Sequence, residues 1–369
     1  MKIISVDDHI IEHSRVWQDR LPSKLRERGP RLVEVDGEEY WLFDGTFYPG
    51  FEGIATAVGL GYERVSRKGR HSSELPQGFM DPLARLADMD RDGVWAQVGF
   101  PTFPRFAGTR FLETKDRQLA LACVQAYNDF ILDEWCATAR SRYVALNILP
   151  LWDVELAVKE FHRVVDKGAH SITFPEYFAP LGLPSIHSRA WDALFAAASE
   201  ASIPFSIHFG TSGVLPQPSP DGPSATYIAL MGTSSMATCV DYVFSHVFHE
   251  FPNVRLALSE GGIGWIPYLK ERMDYTFVRN GIWSGLNQDR RPSEVFDQHV
   301  FGCFIDDNVG IMNRYLVGVT NIMIESDYPH VDSSFPHTRV RAKELLADVP
   351  DDEAHRIAEL NARDLYGLV

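Results

Sequence analysis

The segment NVRLALSEGGIGWIPYLKERMDYTFVRN, residues 253–280, holds one complete unit of a strand, a loop and a helix. Its apolar run VRLAL at 254–258 has strand length, and residues 265–280 have helical spacing. Strands that alternate with helices are typical of parallel βαβ units. The number of such units in the chain then decides the fold class.

Eight apolar runs of this kind are spread through the chain, and stretches with helical spacing separate most of them. Eight strand–helix units closed on themselves form a (β/α)8 TIM-type barrel, for which ~250 residues is typical. An open doubly wound sheet is the alternative, but it would usually carry a glycine-rich phosphate turn after an early strand, and the sequence has none. We predict an α/β fold with a single barrel domain over residues 1–369. The runs are IISV (3–6), AQVGF (96–100), YVALNIL (143–149), SITF (171–174), PFSIHF (204–209), VRLAL (254–258), VFGCFI (300–305) and NIMI (321–324).

Residues 10–80 form an insertion after the first strand and hold most of the length that a barrel does not need. Asp36-Gly37 and Asp44-Gly45 are hairpin turn signals between short β-like runs. We therefore predict a β-meander followed by a loop, lying as a lid over the mouth of the barrel. Trp41 and Phe47 are then candidates for substrate binding, and the alternative is that they belong to a small core of the insertion itself.

Composition limits the classes of function. Of the 369 residues 45% are hydrophobic and 23% charged, which excludes a disordered chain or a fibre. With 35 Lys and Arg against 50 Asp and Glu, the formal net charge is −15, which argues against binding to nucleic acid or to an anionic membrane. No window approaches the ~20 uninterrupted apolar residues of a membrane span.

The N-terminal sequence and the cysteines predict a cytoplasmic protein. Only four residues separate Lys2 from Asp7, which is too short for the apolar core of a secretory signal. The four cysteines lie far apart and form no C-x-x-C pair, so we expect neither a disulfide scaffold nor a cysteine-only zinc site.

Polar side chains follow most of the predicted barrel strands, at the end where the reactive groups of such barrels lie. On the first strand, alternation puts Asp7 and His9 on one face and Asp8 on the other. The same alternation places Ile3 and Ser5 below the first pair. An acid and an imidazole two residues apart on one strand can hold one cation together.

His208 on the fifth strand and Asp327 after the eighth complete a candidate metal site with Asp7 and His9. Two imidazoles and two carboxylates are nitrogen and oxygen ligands that suit Zn²⁺ or Mn²⁺, with a position left for water or substrate. We therefore predict a divalent metal cofactor and favour Zn²⁺, with Mn²⁺ as the alternative. Glu176, which follows the fourth run, points inward by alternation and is predicted to bind substrate or to be a salt-bridged structural acid.

The order of these motifs resembles the amidohydrolase superfamily. The motifs are the D-x-H opening at Asp7 and His9, SIHFG at 206–210, EFPNVRLALSEGGIGWIP at 250–267 and ESDYPH at 325–330. The similar branch is that of 2-amino-3-carboxymuconate 6-semialdehyde decarboxylase, which also holds metal-dependent aromatic acid decarboxylases and hydrolases of ring-cleavage products. The resemblance implies a metal-dependent barrel enzyme in which Asp327 contacts the metal and shuttles a proton. It also implies a homodimer.

Two positions depart from that pattern. The first-strand motif of the family is usually H-x-H or, in the dihydroxybenzoate decarboxylases, E-x-H, whereas Asp7 stands here. The sixth strand of the family often ends in a catalytic histidine. This chain has Glu260 at that position, and three roles remain open for it: metal ligand, base or orienting group. His330, three residues after Asp327, is the better candidate to replace that histidine, and His246 in an apolar helical stretch is the weaker one.

The acidic residue on the first strand resembles that of the E-x-H decarboxylases. This resemblance favours non-oxidative decarboxylation of a small aromatic or cyclic carboxylic acid, with an oxygen of the substrate on the metal and Asp327 as the proton shuttle. Hydrolysis of a C–C or C–N bond by a metal-activated water is the alternative, because the same residues serve both reactions. A catalytically silent, metal-binding barrel is a third hypothesis, since the sixth-strand histidine is missing. The expected partner is a small carboxylate, with neither nucleic acid nor a membrane.

Overall fold

A computed structural model describes residues 2–368, and its strands and helices alternate over most of the chain. The strands are β1 Ile3–Ile10, β2 Arg31–Val35, β3 Glu38–Phe43, β4 Thr46–Pro49, β5 Phe51–Glu52, β6 Gly69–Arg70, β7 Val94–Pro101, β8 Tyr143–Val144, β9 Leu146–Asn147, β10 Ser171–Thr173, β11 Phe205–His208, β12 Leu256–Ser259, β13 Val300–Phe304 and β14 Ile322–Ile324.

Helices follow nearly every barrel strand. Two of the helices listed below continue into a π-helical turn: α4 into Ile131–Trp135 and α16 into Arg356–Leu360. The α-helices are α1 Arg15–Gln18, α2 Ser23–Arg26, α3 Pro82–Asp92, α4 Arg117–Phe130, α5 Cys136–Thr138, α6 Val154–Asp166, α7 Asp192–Ala201, α8 Ala225–Ala229, α9 Met231–Val243, α10 Val247–Glu250, α11 Ile266–Asn280, α12 Pro292–His299, α13 Asn308–Met312, α14 Arg314–Val317, α15 Thr338–Leu345, α16 Asp351–His355 and α17 Asn361–Tyr366.

Eight parallel strands close into a barrel. β1 pairs with β7 and β7 with β8, while β9 to β14 form one parallel sheet in sequential order. Ala145 alone separates β8 from β9, so these two pieces occupy one strand position. Backbone hydrogen bonds join the first and last strands, from N–H of Asp327 to Asp7 O (2.8 Å) and from N–H of His9 to Tyr328 O (2.6 Å). The predicted (β/α)8 barrel is confirmed.

The inner face of the barrel is filled by one apolar cluster that includes Ile4, Val6 and, from the C-terminal helix α17, Leu365. Ile3 packs instead in the larger cluster that includes the helices. Alternation along β1 explains why Ile3 packs on the opposite face from Ile4 and Val6. A β-bulge then interrupts the alternation, because Ser5 pairs with Gln97 while Asp8 pairs with Gly99, which leaves one extra residue in β1. The prediction that Ile3 and Ser5 lie below Asp7 was therefore wrong: the bulge turns Asp7 inward directly after Val6.

The insertion contains the antiparallel meander β2–β3–β4, followed by the β5–β6 pair. Both hairpin turns need left-handed backbone, with φ of 52° at Asp36 and 47° at Asp44, each followed by a glycine with positive φ. Asp and Gly tolerate this conformation, which explains why the two turn signals could be read from the sequence.

The four cysteines are free and buried. Among residues 2–368, no helix combines the length and the apolar character that crossing a bilayer requires.

Candidate metal centre and active site

Four side chains from three barrel strands converge at the carboxyl ends of those strands. Nε2 of His9 lies 3.4 Å from Asp7 Oδ1 and 3.2 Å from Asp327 Oδ1. Nε2 of His208 lies 3.4 Å from Asp7 Oδ2. All four side chains are buried. The structure therefore brings together the residues that the sequence grouped as metal ligands.

The polar atoms that face one another in this cluster lack hydrogen-bond partners. Both carboxylate oxygens of Asp7 and of Asp327, Nε2 of His9 and Nε2 of His208 are buried without one. Leaving buried polar atoms unpaired is costly, and proteins rarely do so. Ligands of a tetrahedral ion at ~2.1 Å would lie about 3.4 Å from one another, which is close to the spacing observed here. The cluster thus fits a divalent cation.

The tautomer of His208 supports the same conclusion. Its Nδ1 lies 2.6 Å from the carbonyl oxygen of Phe209, so Nδ1 carries the proton and Nε2 presents a lone pair. That lone pair faces Oε2 of Glu260 at 3.0 Å. Two such acceptors repel one another unless a proton or a cation lies between them, so Glu260 belongs to the same polar cluster.

Burial dominates the electrostatics of the site. It raises the pKa of the Asp7 and Asp327 carboxyls well above their usual range, and the charge of Glu260 raises both further. It lowers the pKa of His9 and His330 well below the usual range for histidine. A divalent cation would offset this accumulation of buried negative charge, since a nearby positive charge favours the ionised carboxylate.

His330 lies in contact with the cluster, as the sequence suggested. Its ring stacks on that of His9 with a centroid separation of 3.5 Å, and its Nδ1 lies 3.1 Å from Asp327 Oδ1. The other ring nitrogen, Nε2, is buried without a partner. His330 therefore connects Asp327 to the cavity, whose wall it helps to form.

A second set of buried polar groups holds β1 against the end of β14. Oδ1 of Asp8 accepts hydrogen bonds from Ser5 Oγ (3.1 Å), Ser326 Oγ (2.6 Å) and the backbone N–H of Tyr328 (3.0 Å). Arg85 donates from Nη2 to the carbonyl oxygen of His9 at 2.8 Å. These bonds fix the backbone on both sides of the candidate metal ligands.

Two acids of the site have unusual backbone conformations. Glu260 and Asp327 both have φ of 54°, a left-handed conformation that is costly for residues other than glycine. The N–H of Glu260 donates to Glu325 Oε2 at 3.1 Å, and the N–H of Asp327 donates to Asp7 O. The strain turns both carboxyl groups towards the cluster at the ends of their strands.

A cavity of about 350 Å³ opens above the cluster. Its wall combines apolar side chains with two arginines, Arg67 from the insertion and Arg105 from the loop after β7. Arg67 donates to the Tyr227 hydroxyl at 2.7 Å, and Arg105 lies 2.8 Å from Glu113 Oε1. The lining residues are Glu52, Ile54, Ala55, Arg67, Thr102, Arg105, Phe106, Phe209, Gly210, Leu215, Tyr227, Ile228, Met231, Glu260, His330, Val331 and Asp332.

Neither aromatic residue proposed for substrate binding belongs to that wall. Trp41 is buried in an aromatic cluster, with ring centroids 5.5 Å from Trp17 and 4.5 Å from Phe103. Phe47 lies on the meander and is 55% exposed. Alternation in an antiparallel hairpin sends Trp41 towards the core. The alternative, a small core of the insertion itself, describes its contact with Trp17, but Phe103 lies outside residues 10–80, so this core also includes the loop after β7.

Glu176 is buried but does not line the cavity. Its carboxylate accepts hydrogen bonds from the N–H of Ser212 at 2.9 Å and from Ser212 Oγ at 2.7 Å. It thereby holds the loop that follows His208 and that contributes Phe209 to the cavity wall. The prediction of direct substrate binding is replaced by a role in positioning that loop.

Residues 71–368 match the family model described as amidohydrolase. The chain belongs to the amidohydrolase family. Similar solved structures extend over the whole of this amidohydrolase. One is an amidohydrolase from Mycobacterium avium subsp. paratuberculosis K-10, with 21% identity, 99% of both chains covered and a TM-score of 0.78. Two others are decarboxylases.

The first of these is 5-carboxyvanillate decarboxylase from Sphingomonas paucimobilis, with 16% identity, 100% of this chain and 99% of that chain covered, and a TM-score of 0.67. The second is a dihydroxybenzoic acid decarboxylase from Polaromonas sp. JS666, with bound manganese and the inhibitor 2-nitroresorcinol. Its identity is 15%, it covers 100% and 97% of the two chains, and its TM-score is 0.63. These similarities agree with the barrel fold.

The family match confirms the prediction of an amidohydrolase-family enzyme that depends on a divalent metal. Sequence reasoning missed the cavity residues Arg105 and Phe106. Both lie in the loop after β7, where Arg105 adds a guanidinium group and Phe106 an aromatic ring to the cavity wall. The Phe106 ring lies 4.1 Å from that of His208 and 4.8 Å from that of His9. The sequence could have suggested them only by their position shortly after a strand, and many loop residues without a role in the site share that position.

Proposed function

We propose that this amidohydrolase is a divalent-metal-dependent decarboxylase of a small aromatic or cyclic carboxylic acid. The observation that carries the proposal is the set of unpartnered ligand atoms of Asp7, His9, His208 and Asp327. They lie against His330 and Glu260, which line a cavity that also holds two arginines. In the same proposal Zn²⁺ or Mn²⁺ is the metal, since imidazole and carboxylate ligands suit both. Manganese is the ion named for the similar Polaromonas decarboxylase.

The similar structures support a carboxylate substrate. Several of them are decarboxylases of 5-carboxyvanillate or of dihydroxybenzoate. The chain's own cavity suits an aromatic acid as well, because Phe106, Phe209 and Met231 offer apolar surface for a ring. Arg67 and Arg105 bring positive charge into a protein whose net charge is −15. We assign them to binding an anionic group of the substrate away from the metal.

The bound cation would act as a Lewis acid that polarises an oxygen of the substrate. Asp327 then holds the proton that is transferred to the ring carbon as the bond to the carboxyl group breaks and CO₂ leaves. His330 lies against Asp327 and lines the cavity, so it is placed to return a proton from solvent to Asp327. Phe106 covers His9 and His208 and limits the access of water to the ligands.

Hydrolysis is the second candidate, and Glu260 is the residue that favours it. Its carboxylate lies 3.0 Å from His208 Nε2 and also forms part of the cavity wall. In that position it can accept a proton from an attacking water molecule.

Isotope labelling separates the two reactions. The metal-loaded enzyme is incubated with a panel of aromatic and cyclic carboxylic acids in D₂O that contains ¹⁸O. Decarboxylation places one deuterium on the carbon that loses CO₂ and no ¹⁸O in the organic product, whereas hydrolysis places ¹⁸O in that product. Enzyme treated with a chelator and then reloaded with Zn²⁺ or Mn²⁺ is the control. Absence of either product with every acid, in protein that has bound metal, would favour the silent barrel.

A further inference from the structure

Arg105 reaches the cavity from a strained position of the backbone. Its φ is 59°, in the left-handed region that is costly for residues other than glycine. The start of the same loop is held by the buried Glu12, whose carboxylate accepts hydrogen bonds from the N–H groups of Thr102 (3.0 Å) and Phe103 (2.8 Å). Such strain persists only where surrounding contacts hold it, and it is common at ligand-binding sites. The backbone of this loop therefore presents Arg105 to the cavity in one conformation.

The side chain of Arg105 is directed by Glu113, which does not itself line the cavity. Nη2 of Arg105 lies 2.8 Å from Glu113 Oε1, and the other oxygen of that carboxylate, Oε2, accepts a hydrogen bond from the Tyr48 hydroxyl at 2.6 Å. The two charged side chains are 38% and 35% exposed, and an ion pair so open to water contributes little to stability. It does restrict the many rotamers of a long side chain, so its main consequence is the direction of the guanidinium group.

Two contacts dock the meander on the segment that carries Glu113. Besides the bond from Tyr48, the carboxylate of Asp44 in the turn between β3 and β4 accepts a hydrogen bond from Thr114 Oγ1 at 2.5 Å. The guanidinium group of Arg110 covers the Tyr48 ring, 4.1 Å from the ring centre. The Tyr48 ring is thus held on its face and its hydroxyl at the edge, which fixes one oxygen of Glu113.

We propose that Tyr48 and Glu113 are positioning residues for Arg105, so that the meander sets the affinity of the site for acids with a second anionic group. The inference rests on the proposed function, in which Arg105 binds that group. A guanidinium group binds a carboxylate best in a planar, paired geometry. If Arg105 rotated freely it would have that geometry for only a fraction of the time, and the affinity would fall by the same fraction. The meander then takes part in recognition although neither Trp41 nor Phe47 lines the cavity.

Equilibrium binding of two probes to the metal-loaded protein tests the proposal. Isophthalate carries two carboxylates on one benzene ring, and benzoate carries one. Tyr48→Phe removes the hydroxyl, and Glu113→Asp leaves a carboxylate too short to reach both partners. Each should raise Kd for isophthalate about threefold to tenfold and change Kd for benzoate by less than about twofold, as measured by isothermal titration calorimetry. Both substitutions keep the charge of the site, so the change reports the position of Arg105 and not the field around it.

Tyr40→Phe is the matched control. Tyr40 lies on β3 of the same meander and packs on Phe47, with ring centroids 6.1 Å apart, so its substitution should leave both Kd values unchanged. In an Arg105→Met background, Tyr48→Phe should have no further effect on isophthalate, because it acts through the guanidinium group that is missing. With an acid that the enzyme converts, Tyr48→Phe should raise KM and leave kcat unchanged. Circular dichroism verifies that each variant is folded.

Several results would overturn the proposal. They are wild-type protein that binds isophthalate no more tightly than benzoate, equal losses for the two probes, tighter binding of isophthalate in either variant, and an effect of Tyr48→Phe that persists beside Arg105→Met. Because binding is measured, absence of decarboxylation does not alter these outcomes. Wild-type affinity for isophthalate in Arg105→Met would overturn both the role assigned to Arg105 and this inference, whereas weaker binding in Arg105→Met but not in Tyr48→Phe would overturn this inference alone.

Discussion

Oε2 of Glu260 lies 3.0 Å from Nε2 of His208, and the other nitrogen of that ring is already bound to the carbonyl oxygen of Phe209. In the neutral imidazole the glutamate therefore faces a lone pair, and a cation between the two atoms would hold them together. Asp7 Oδ2 lies 3.4 Å from the same nitrogen, so two carboxylates approach it, as the ligands of one ion would. The predictions below test this reading and the roles of the surrounding residues.

Removing one imidazole should remove the metal. We expect His208→Ala to lower the metal content from near one ion per chain to a small fraction of that value, because three ligands in a buried site bind far less tightly than four. His246→Ala is the control, since His246 directly precedes α10 and pairs with Asp192 at 2.6 Å rather than with a residue of the cluster. Elemental analysis of both purified proteins measures the effect. Equal metal contents would contradict the proposed site.

Asp327→Asn should lower kcat by about 10²- to 10⁴-fold, which is the usual contribution of a positioned acid or base. The amide has the shape of the carboxyl group but neither carries nor returns the proton. Steady-state kinetics on protein shown to contain metal measures the effect, so that loss of the ion is not mistaken for loss of proton transfer. A kcat within threefold of wild type would exclude Asp327 as the proton carrier.

The two cavity arginines should affect substrate binding more than turnover. We expect Arg67→Met and Arg105→Met each to raise KM for an acid with a second anionic group about 10-fold or more, since a hydrogen bond to a charged group contributes about 1.5–3 kcal/mol. Arg15→Met, at an arginine that is exposed on α1 and paired with Asp19, serves as the control. Unchanged KM values in both cavity variants would contradict the assigned role.

Stability should depend on pH through Glu176. Burial raises the pKa of this carboxyl from its ordinary value of 4.5 to about 7. Between these two pH values the folded protein keeps a proton that the unfolded chain releases, so this group stabilises the fold at low pH and the contribution is lost as pH rises through the window. Glu176→Gln cannot titrate, and its amide oxygen can accept from the N–H of Ser212 while its NH₂ group donates to Ser212 Oγ.

Urea unfolding of metal-free wild type and of Glu176→Gln at pH 5 and pH 7 isolates that contribution. The free energy of unfolding of wild type relative to the variant should decrease from pH 5 to pH 7, by ~3 kcal/mol at most. A difference that is constant or that increases with pH would show that Glu176 is ionised throughout this range.

The two aromatic residues of the meander should behave differently. Trp41→Ala should lower the free energy of unfolding by ~3–5 kcal/mol, because it leaves a cavity beside Trp17 and Phe103. Phe47→Ala should change it by less than ~0.5 kcal/mol, since that side chain is mainly exposed. Neither should change KM directly. A large increase in KM for Phe47→Ala would restore it as a substrate-binding residue.

Much of the fold could be predicted because its signals are local. The eight apolar runs correspond to the eight strand positions of the barrel, and the Asp-Gly pairs lie in the turns of the meander. The β-bulge between Ser5 and Asp8 could not be predicted, because it depends on how β1 pairs with β7 and not on any residue type in β1. Strict alternation therefore predicted the wrong face of the strand for Ile3, although it predicted the right face for Asp7.

The sequence by itself determined which side chains stand at strand ends, since in a parallel barrel all those ends meet on one side, and so it grouped Asp7, His9, His208 and Asp327 correctly. Only the tertiary structure decided that Glu176 bonds to Ser212, that Trp41 packs into a core, and that Arg67 and Arg105 line the same cavity. The physical reason is that regular backbone hydrogen bonds between neighbouring parallel strands place all the strand ends on one side of the barrel. The direction of a loop side chain depends instead on packing against residues far away in sequence.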